Sequence, residues 1–135
     1  MPAGYSETPL AKKLNLRDDQ RVWFHAMPES VQDEIGEYAL DLIFVADPAE
    51  GIDAAHIFVT TREELENLLA TLRKQIAADG HIWVSWPKQA SKVPTDVSED
   101  TIREVALPIG LVDTKVCAVD ETWSGLKLVI RKDLR

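Results

Sequence analysis

The sequence predicts a three-layer α/β sandwich, with a mainly parallel sheet that ends in an antiparallel hairpin. Three observations support this fold class. Segments with strand composition alternate with segments of helical periodicity, and most strand segments are continuous apolar runs, as buried parallel strands are. The last two strand segments, LVDTKVCAV and LKLVIRK, are separated only by DETWSG. That connection is too short for a crossover, so these two strands must be antiparallel.

The 135 residues are expected to form one domain, in which residues 1–19 are an N-terminal segment with a short helix. The formal charge of −8 makes nucleic acid and membranes unfavourable partners, because both are anionic. Cys117 is the only cysteine, which excludes an internal disulfide and a cysteine-based zinc site. Residues 1–10 lack the apolar core of a signal peptide, so a cytoplasmic location is expected.

In the first half of the chain, residue order predicts two short helices and three strands. TPLAKKLNL begins a helix with Thr8 as N-cap, and RVWFHAM is a short strand that Pro28 ends. PESVQDEIGEY has Pro first and acids early, as a short helix does. ALDLIFVAD and AAHIFVT are apolar runs and are predicted to be the second and third strands.

The second half contains the clearest helix. Thr61 and Glu64 form a predicted capping box, leucines follow at helical spacing, and Asp79-Gly80 is expected to end the helix. HIWVSW is the fourth strand, and the polar loop KQASKVPTD follows Pro87. Asp96 with Glu99 resembles a second capping box, which starts a helix that ends near Pro108.

Ligands of open parallel sheets bind beyond the carboxyl ends of the strands. Met27–Glu29, Asp47 and Thr60–Thr61 follow the first three strands, and the PKQASK loop follows the fourth. If LVDTKVCAV runs parallel to HIWVSW, the DETWSG turn lies at the same edge as that loop. Lys88 and Lys92 would then lie near Asp120 and Glu121.

These considerations select a set of candidate ligand-binding residues, in which each member also has a purely structural explanation. The lysines and serine could bind an anion or belong to a solvated loop, and the two adjacent acids could act as an acid/base pair or only form the turn. Trp123 is larger than a turn needs, which suggests packing against the PKQASK loop or a partner. The candidates are Lys88, Ser91, Lys92, Asp120, Glu121, Trp123 and Asp47.

Other chemistry-bearing residues are assigned to structure. Trp83 and Trp86 are three apart in a strand, so their side chains should point to opposite faces of the sheet. Gly125 is expected to permit a positive φ in the turn. The three histidines lie in or beside different strands without ligand spacing, so no metal site is predicted. No catalytic residues and no cofactor are predicted.

The alternating order that ends in a hairpin resembles the Rossmann-like fold of class I S-adenosylmethionine-dependent methyltransferases, from about Arg21 onward. The resemblance implies that fold for this chain. Those enzymes have a glycine-rich loop after their first strand, where the backbone approaches the cofactor. Here the corresponding stretch is HAMPES, which contains no glycine, so standard cofactor binding is not expected.

Three longer stretches resemble a family of small bacterial proteins classed as a domain of unknown function. They are AGYSETPLAKKL, FVTTREEL and VSWPKQASKVPTDVSEDTIREVALPIGLVDTKVCAVDETWSGLKLVIRK. The resemblance implies a shared fold and brings no activity, substrate or catalytic residue. The expected function is therefore a non-catalytic module that binds a small molecule or a protein partner. A divergent group-transfer enzyme and a homo-oligomerising interaction protein remain as alternatives.

Overall fold

A computed structural model describes residues 8–135 of the chain. Six strands form one sheet in the order β2-β1-β3-β4-β6-β5, and helices cover both faces. The strands are β1 Arg21–His25, β2 Ile43–Phe44, β3 Ile52–Phe58, β4 Ile76–Pro87, β5 Leu111–Ala118 and β6 Trp123–Ile130. The helices are α1 Leu10–Lys13, α2 Glu29–Gly36, α3 Arg62–Gln75 and α4 Glu99–Ala106, with short 3₁₀ turns between some elements. The predicted three-layer α/β architecture is confirmed.

Strand direction changes only at β6. Strands β2, β1, β3 and β4 pair in parallel, whereas β6 is antiparallel to both β4 and β5. β5 therefore runs parallel to β4, and the carboxyl ends of β4 and β5 lie at the same edge of the sheet. The predicted C-terminal hairpin is confirmed.

Each face of the sheet carries its own apolar cluster. The first cluster joins the sheet to α3 and α4 and includes Leu65, Leu69 and Ile102. The second cluster joins the opposite face to α1 and α2 and includes Leu14 and Val31. Both layers of helices are thus held by apolar side chains removed from water.

The two tryptophans of β4 lie on opposite faces, as strand alternation predicts. Trp83 belongs to the second cluster, where it is 1% exposed, and Trp86 packs against the first cluster. The indole Nε1 of Trp83 donates a hydrogen bond of 2.9 Å to the carbonyl of Leu14. This bond satisfies the one polar atom of a fully buried ring and fastens the segment after α1 to the sheet.

The second strand is much shorter than its sequence predicts. Only Ile43 and Phe44 pair with β1, at one edge of the sheet, and their exposed fractions are 47% and 66%. Apolar composition indicated a buried strand, but an edge strand leaves apolar residues in water. The local pattern of ALDLIFVAD does not distinguish these two positions.

Three predicted helix boundaries are wrong. α1 begins at Leu10, with Pro9 and not Thr8 as its N-cap. α3 ends at Gln75, and Ile76 to Gly80 form the beginning of the long strand β4. Gly80 therefore does not end a helix. It lies in a strand where an added Cβ would come within 2.5 Å of the carbonyl of Asp53, so the close approach of two strands requires glycine.

The capping box before α4 is also different from the one predicted. Ser98 is the N-cap and exchanges hydrogen bonds with Thr101. Asp96 instead accepts a hydrogen bond of 2.7 Å from the backbone N–H of Arg62, at the start of α3. A residue expected to cap its own helix thus caps a neighbouring one.

Gly125 is required for packing and not for a positive φ. It lies in β6 and is absent from the positive-φ residues of the described chain. An added Cβ would lie 3.1 Å from the Trp83 ring and 3.3 Å from the Val119 side chain. The prediction of a left-handed turn residue is therefore wrong at this position.

A polar pair is buried beside Trp83. His56 Nε2 and Ser85 Oγ are 2.6 Å apart, and the His56 ring stacks on Phe58 with a centroid distance of 4.5 Å. Burial, with a smaller contribution from the charge of His81, lowers the pKa of His56 to about 3. His56 is consequently neutral in the folded protein at physiological pH.

We expect Gly125→Ala to destabilise the protein by about 1–3 kcal/mol, because the new methyl group must displace a well-packed ring. Gly36→Ala is the matched control, since nothing lies within 4 Å of that position and its φ is not positive. The control should be neutral or slightly stabilising. Urea unfolding measures both, and equal free energies for the two variants would contradict the packing role of Gly125.

We expect the free energy of unfolding to fall as pH is lowered from 6.5, because unfolded His56 binds a proton there and folded His56 does not until about pH 3. The contribution is fully present above pH 6.5. Its loss is about 1.4 kcal/mol per pH unit in the interval between the two pKa values. His56→Gln should reduce the measured pH slope between pH 6 and 4.5. An unchanged slope would show that acid sensitivity originates elsewhere.

Candidate functional site

The PKQASK loop and the DETWSG turn meet at the carboxyl edge of the sheet, as predicted. Lys88 Nζ donates a hydrogen bond of 2.6 Å to the backbone carbonyl of Asp120, and the Lys88 N–H donates one of 2.7 Å to the carbonyl of Thr122. The predicted proximity of Lys88 and Asp120 is confirmed. The contact is made to the backbone and not to the carboxylate, so it joins the two loops.

The carboxylate of Asp120 is used within the turn. Its Oδ1 accepts hydrogen bonds of 2.8 Å from the N–H groups of both Thr122 and Trp123. Glu121 is exposed at the tip and makes no hydrogen bond within the described part of the chain. The two adjacent acids therefore do not share a hydrogen-bonded proton site in this arrangement.

Trp123 is the first residue of β6 and is half-buried. It is the cross-strand neighbour of Pro87, and its ring packs edge-on against Phe58 with a centroid distance of 5.0 Å. The predicted contact with the start of the PKQASK loop is thus limited to this strand pairing. The second apolar cluster accounts for the size of the side chain.

The remaining three predicted site residues are not brought to one point. Ser91 Oγ donates a hydrogen bond of 2.6 Å to the carbonyl of Lys88, and Lys92 adopts a left-handed φ of 60° beside it. Asp47 caps a 3₁₀ turn after β2, where its Oδ1 accepts from the N–H of Ala49. Three strand spacings, about 14 Å, separate β2 from β4, so Asp47 is remote from the lysines. A ligand-binding role for the seven residues stays a prediction.

A second group of residues at this edge of the sheet was not predicted from the sequence. The chain passes from β1 through α2 outward to β2, and then returns across β1 to β3. The strand order therefore reverses between β1 and β3. In open α/β sheets, this switch point opens a crevice at the carboxyl ends, which is the usual place for a ligand.

A crevice of about 520 Å³ lies at this switch point. Its lining residues come from the end of β1 and the first two turns of α3. They are His25, Thr61, Glu63, Glu64, Asn67 and Leu68. Most of them are polar, and two carry negative charge at neutral pH.

His25 and Glu64 are the paired groups of this crevice. His25 Nε2 lies 3.1 Å from Glu64 Oε2, with exposed side-chain fractions of 31% and 36%. The other carboxylate oxygen of Glu64 accepts a weak hydrogen bond of 3.4 Å from the N–H of Thr60. The His25 ring also stacks on Trp23, with centroids 5.7 Å apart. The imidazole is therefore held from two sides.

The pairing explains why only half of the predicted capping box forms. The Thr61 hydroxyl accepts a hydrogen bond of 3.2 Å from the N–H of Glu64, as a capping box requires. The Glu64 carboxylate does not return to the N–H of Thr61 and reaches His25 instead. In the sequence, the indication of this site is therefore Glu64, because an acid at this position can bond either to its own helix N-terminus or to a neighbouring strand.

The chain after β1 takes a left-handed conformation without glycine. Ala26 has φ of 53°, a region that costs a residue with a Cβ about 1 kcal/mol or more. Pro28 then precedes α2 as its N-cap, without a side-chain cap bond. The sharp bend at HAMPES thus forms, but with a Cβ and a proline ring where a close backbone approach would need glycine.

Two kinds of site are not found within residues 8–135. No group of three His, Cys, Asp or Glu side chains in that range is arranged to hold a metal ion. No helix there has the length and apolar character to span a lipid bilayer.

We expect Asp120→Ala to destabilise the protein by about 1–2 kcal/mol, because two turn N–H groups lose their acceptor. Glu121→Ala, which removes the adjacent exposed carboxylate, is the matched control and should stay within about 0.5 kcal/mol of the wild type. Chemical unfolding compares them. If both variants had wild-type stability, the turn would not depend on the Asp120 carboxylate.

Solved structures with a similar fold include a methylase and two fibrillarins. One is a ribosomal protein L11 methylase from Lactobacillus delbrueckii subsp. bulgaricus, with a TM-score of 0.56, 12% identity, and coverage of 90% of this chain and 77% of that one. Another is Aeropyrum pernix fibrillarin in complex with S-adenosyl-L-methionine, with a TM-score of 0.52, 12% identity, and coverage of 93% and 70%. The fibrillarin pre-rRNA processing protein of Methanococcus jannaschii has a TM-score of 0.52, 9% identity, and coverage of 95% and 71%.

These identities carry the fold alone, which is a Rossmann-like fold of the methyltransferase type. No curated protein matches the sequence. A family model does match, over residues 11–132, and it describes a protein of unknown function. The chain therefore belongs to the DUF3052 family of proteins of unknown function.

Proposed function

We propose that the protein is a binding module for a small, neutral or positively charged molecule, which it holds in the crevice at the carboxyl ends of β1 and β3. The observation that carries this proposal is the His25–Glu64 pair, 3.1 Å apart, inside a crevice at the switch point of the sheet. The sequence predicted a ligand-binding role at the carboxyl edge of the sheet, around Lys88 and Asp120. The proposed site is at the same edge but nearer to β1.

The position supports a ligand site on general grounds. Crevices at switch points arise because successive helices leave the sheet in opposite directions, which leaves a gap above the strand ends. The volume of about 520 Å³ is large enough for a small molecule, and the space is broadly open to solvent. Leu68 supplies an apolar surface, while His25 and Asn67 supply hydrogen-bonding groups.

The charges of the lining define the class of ligand. Glu63 and Glu64 are acidic, and the positive end of α3 is already served by the Thr61 hydroxyl and the Asp96 carboxylate. An anion would therefore meet repulsion with no free helix terminus to compensate. A ligand with amino or hydroxyl donors would instead find carboxylate and amide acceptors.

The surface around Lys88 is a separate candidate. The side chains of Lys92 and Glu121 are exposed, and neither makes a hydrogen bond to any other residue within 8–135. Lys88 and Asp120, in contrast, are engaged in joining the loops. The crevice is favoured because its polar side chains line one space, whereas Lys88 and Asp120 are used in joining the two loops.

We expect small amines found by an NMR fragment screen to shift the backbone amides of His25 and residues 60–68. Glu64→Gln should weaken their binding roughly tenfold, because it removes a charge-assisted hydrogen bond. Glu66→Gln is the matched control on the same helix, since Glu66 pairs with Arg62 outside the crevice. Ligands that shifted residues 88–92 and 120–123 instead would overturn the proposal and favour the Lys88 surface.

S-adenosylmethionine is a separate arm of the same screen, because it tests the group-transfer alternative. The bend at HAMPES lacks the glycine that a close approach would need, so we expect no amide shifts at millimolar concentration. Shifts confined to the crevice would show that the site accepts this cofactor and would make group transfer the better hypothesis.

A further inference from the structure

A basic cavity lies on the opposite side of the molecule from the carboxyl edge, near the amino end of β4. It has a volume of about 380 Å³ and lies on the face of the sheet that carries α1. Its lining residues come from α1 and the loop after it, from β4 and from β6. They are Lys12, Asn15, Leu16, Arg17, Asp79, Gly80, His81, Lys127 and Val129.

The charges in this cavity are mostly positive in a protein whose net charge is −8. Lys12, Arg17 and Lys127 face one carboxylate, that of Asp79. None of these three cations belongs to an ion pair within the described chain, where the pairs are made by His25, Arg62, Arg103 and Arg131.

Lys127 shows the electrostatic consequence of this arrangement. It lies on β6 directly across from Trp83, so its stem passes over the second apolar cluster. Its pKa is lowered by burial first, and then by the charges of Lys115 and Arg17. A negative charge placed in the cavity would relieve this repulsion.

His81 adds a buried polar atom without a partner, although the ring also has a hydrogen-bond interaction with the backbone of Leu14. His81 is 6% exposed, and its Nε2 makes no hydrogen bond with any described residue. Asn15 also lines the cavity, and its Oδ1 is likewise buried without a hydrogen bond to any described residue. Buried polar atoms are nearly always hydrogen-bonded in folded proteins, so two such atoms at one cavity indicate a place for a polar ligand.

We infer that this cavity binds a phosphate group, either free or as part of a phosphate monoester. The anionic oxygens would accept from the ammonium groups of Lys12 and Lys127. A protonated phosphate oxygen can also donate, and the side-chain oxygen of Asn15 is an acceptor within the same cavity. Three cations that form no ion pair among the described residues, beside buried polar atoms without partners there, therefore match the charge and the hydrogen-bonding capacity of a phosphate group.

The two lysines carry the binding more than Arg17 does. Arg17 also lines an adjoining crevice whose other charged residues are all acidic, so its guanidinium lies between the two. Those residues are Asp18, Asp19, Asp53 and Asp79. Asp79 lines both spaces, and its negative charge repels an anion. The part of the cavity most favourable for phosphate is therefore beside Lys127 and His81.

The test is an NMR titration of the full chain with inorganic phosphate and, separately, with glycerol phosphate. Ionic strength is kept constant with sodium chloride, since exposed charges are screened by salt. We expect saturable shifts of the Gly80 and His81 amides, and binding roughly tenfold weaker in Lys127→Met. Lys74→Met is the matched control, because Lys74 is an exposed lysine on α3, at the other face of the sheet.

Phosphate shifts no larger than those with chloride alone, or equal affinities in the wild type and Lys127→Met, would overturn the inference. If Lys127→Met does not fold, Lys12→Met at the exposed rim replaces it, with several-fold weaker binding expected. Tighter binding of the ester than of inorganic phosphate would identify an organic ligand, and the reverse order would identify free phosphate. Amides 60–68 should not move in either titration, so this result is independent of the carboxyl-edge crevice.

Discussion

The packing of Trp83 is the constraint on which much of the structure depends. Its ring is the largest fully buried side chain among residues 8–135 and lies on the central strand β4. The ring requires a residue without a side chain at Gly125, and its N–H requires the carbonyl of Leu14. The neighbouring His56 must also remain neutral, since a charged imidazole would be buried without a counter-ion. One aromatic ring thus connects the hairpin, the segment after α1 and the polar pair of β3 and β4.

The direction of β6 then determines which loops meet. Because β6 is antiparallel to both of its neighbours, the ends of β4 and β5 reach the same edge. Lys88 joins the loops there because its ammonium group and its backbone N–H both donate hydrogen bonds to backbone carbonyls of the turn, and so it acts as part of the framework. The reversal of strand order between β1 and β3 lies next to this joined region.

Alternation and chain direction are local properties, and the features that depend on them could be predicted from the sequence. The opposite faces of Trp83 and Trp86 follow from parity, and the meeting of Lys88 with Asp120 was expected on the condition that LVDTKVCAV runs parallel to HIWVSW. Strand order is not local. Neither the edge position of β2 nor the reversal beside His25 can be obtained from apolar patterning, because both depend on which strands pair. Gly125 was misassigned for the same reason, since its requirement comes from a ring on another strand.

The two proposed sites have opposite charge and lie at opposite ends of the strands. The crevice at the carboxyl edge contains Glu63 and Glu64, while the cavity near the amino end of β4 contains Lys12 and Lys127. In an acidic protein, a cluster of cations without ion pairs raises the local potential and costs stability unless a ligand compensates it. The acids of the crevice are different, because Glu64 has a partner in His25 and also serves the N–H of Thr60. An anion bound in the basic cavity would therefore stabilise the folded chain, by the linkage between ligand binding and folding.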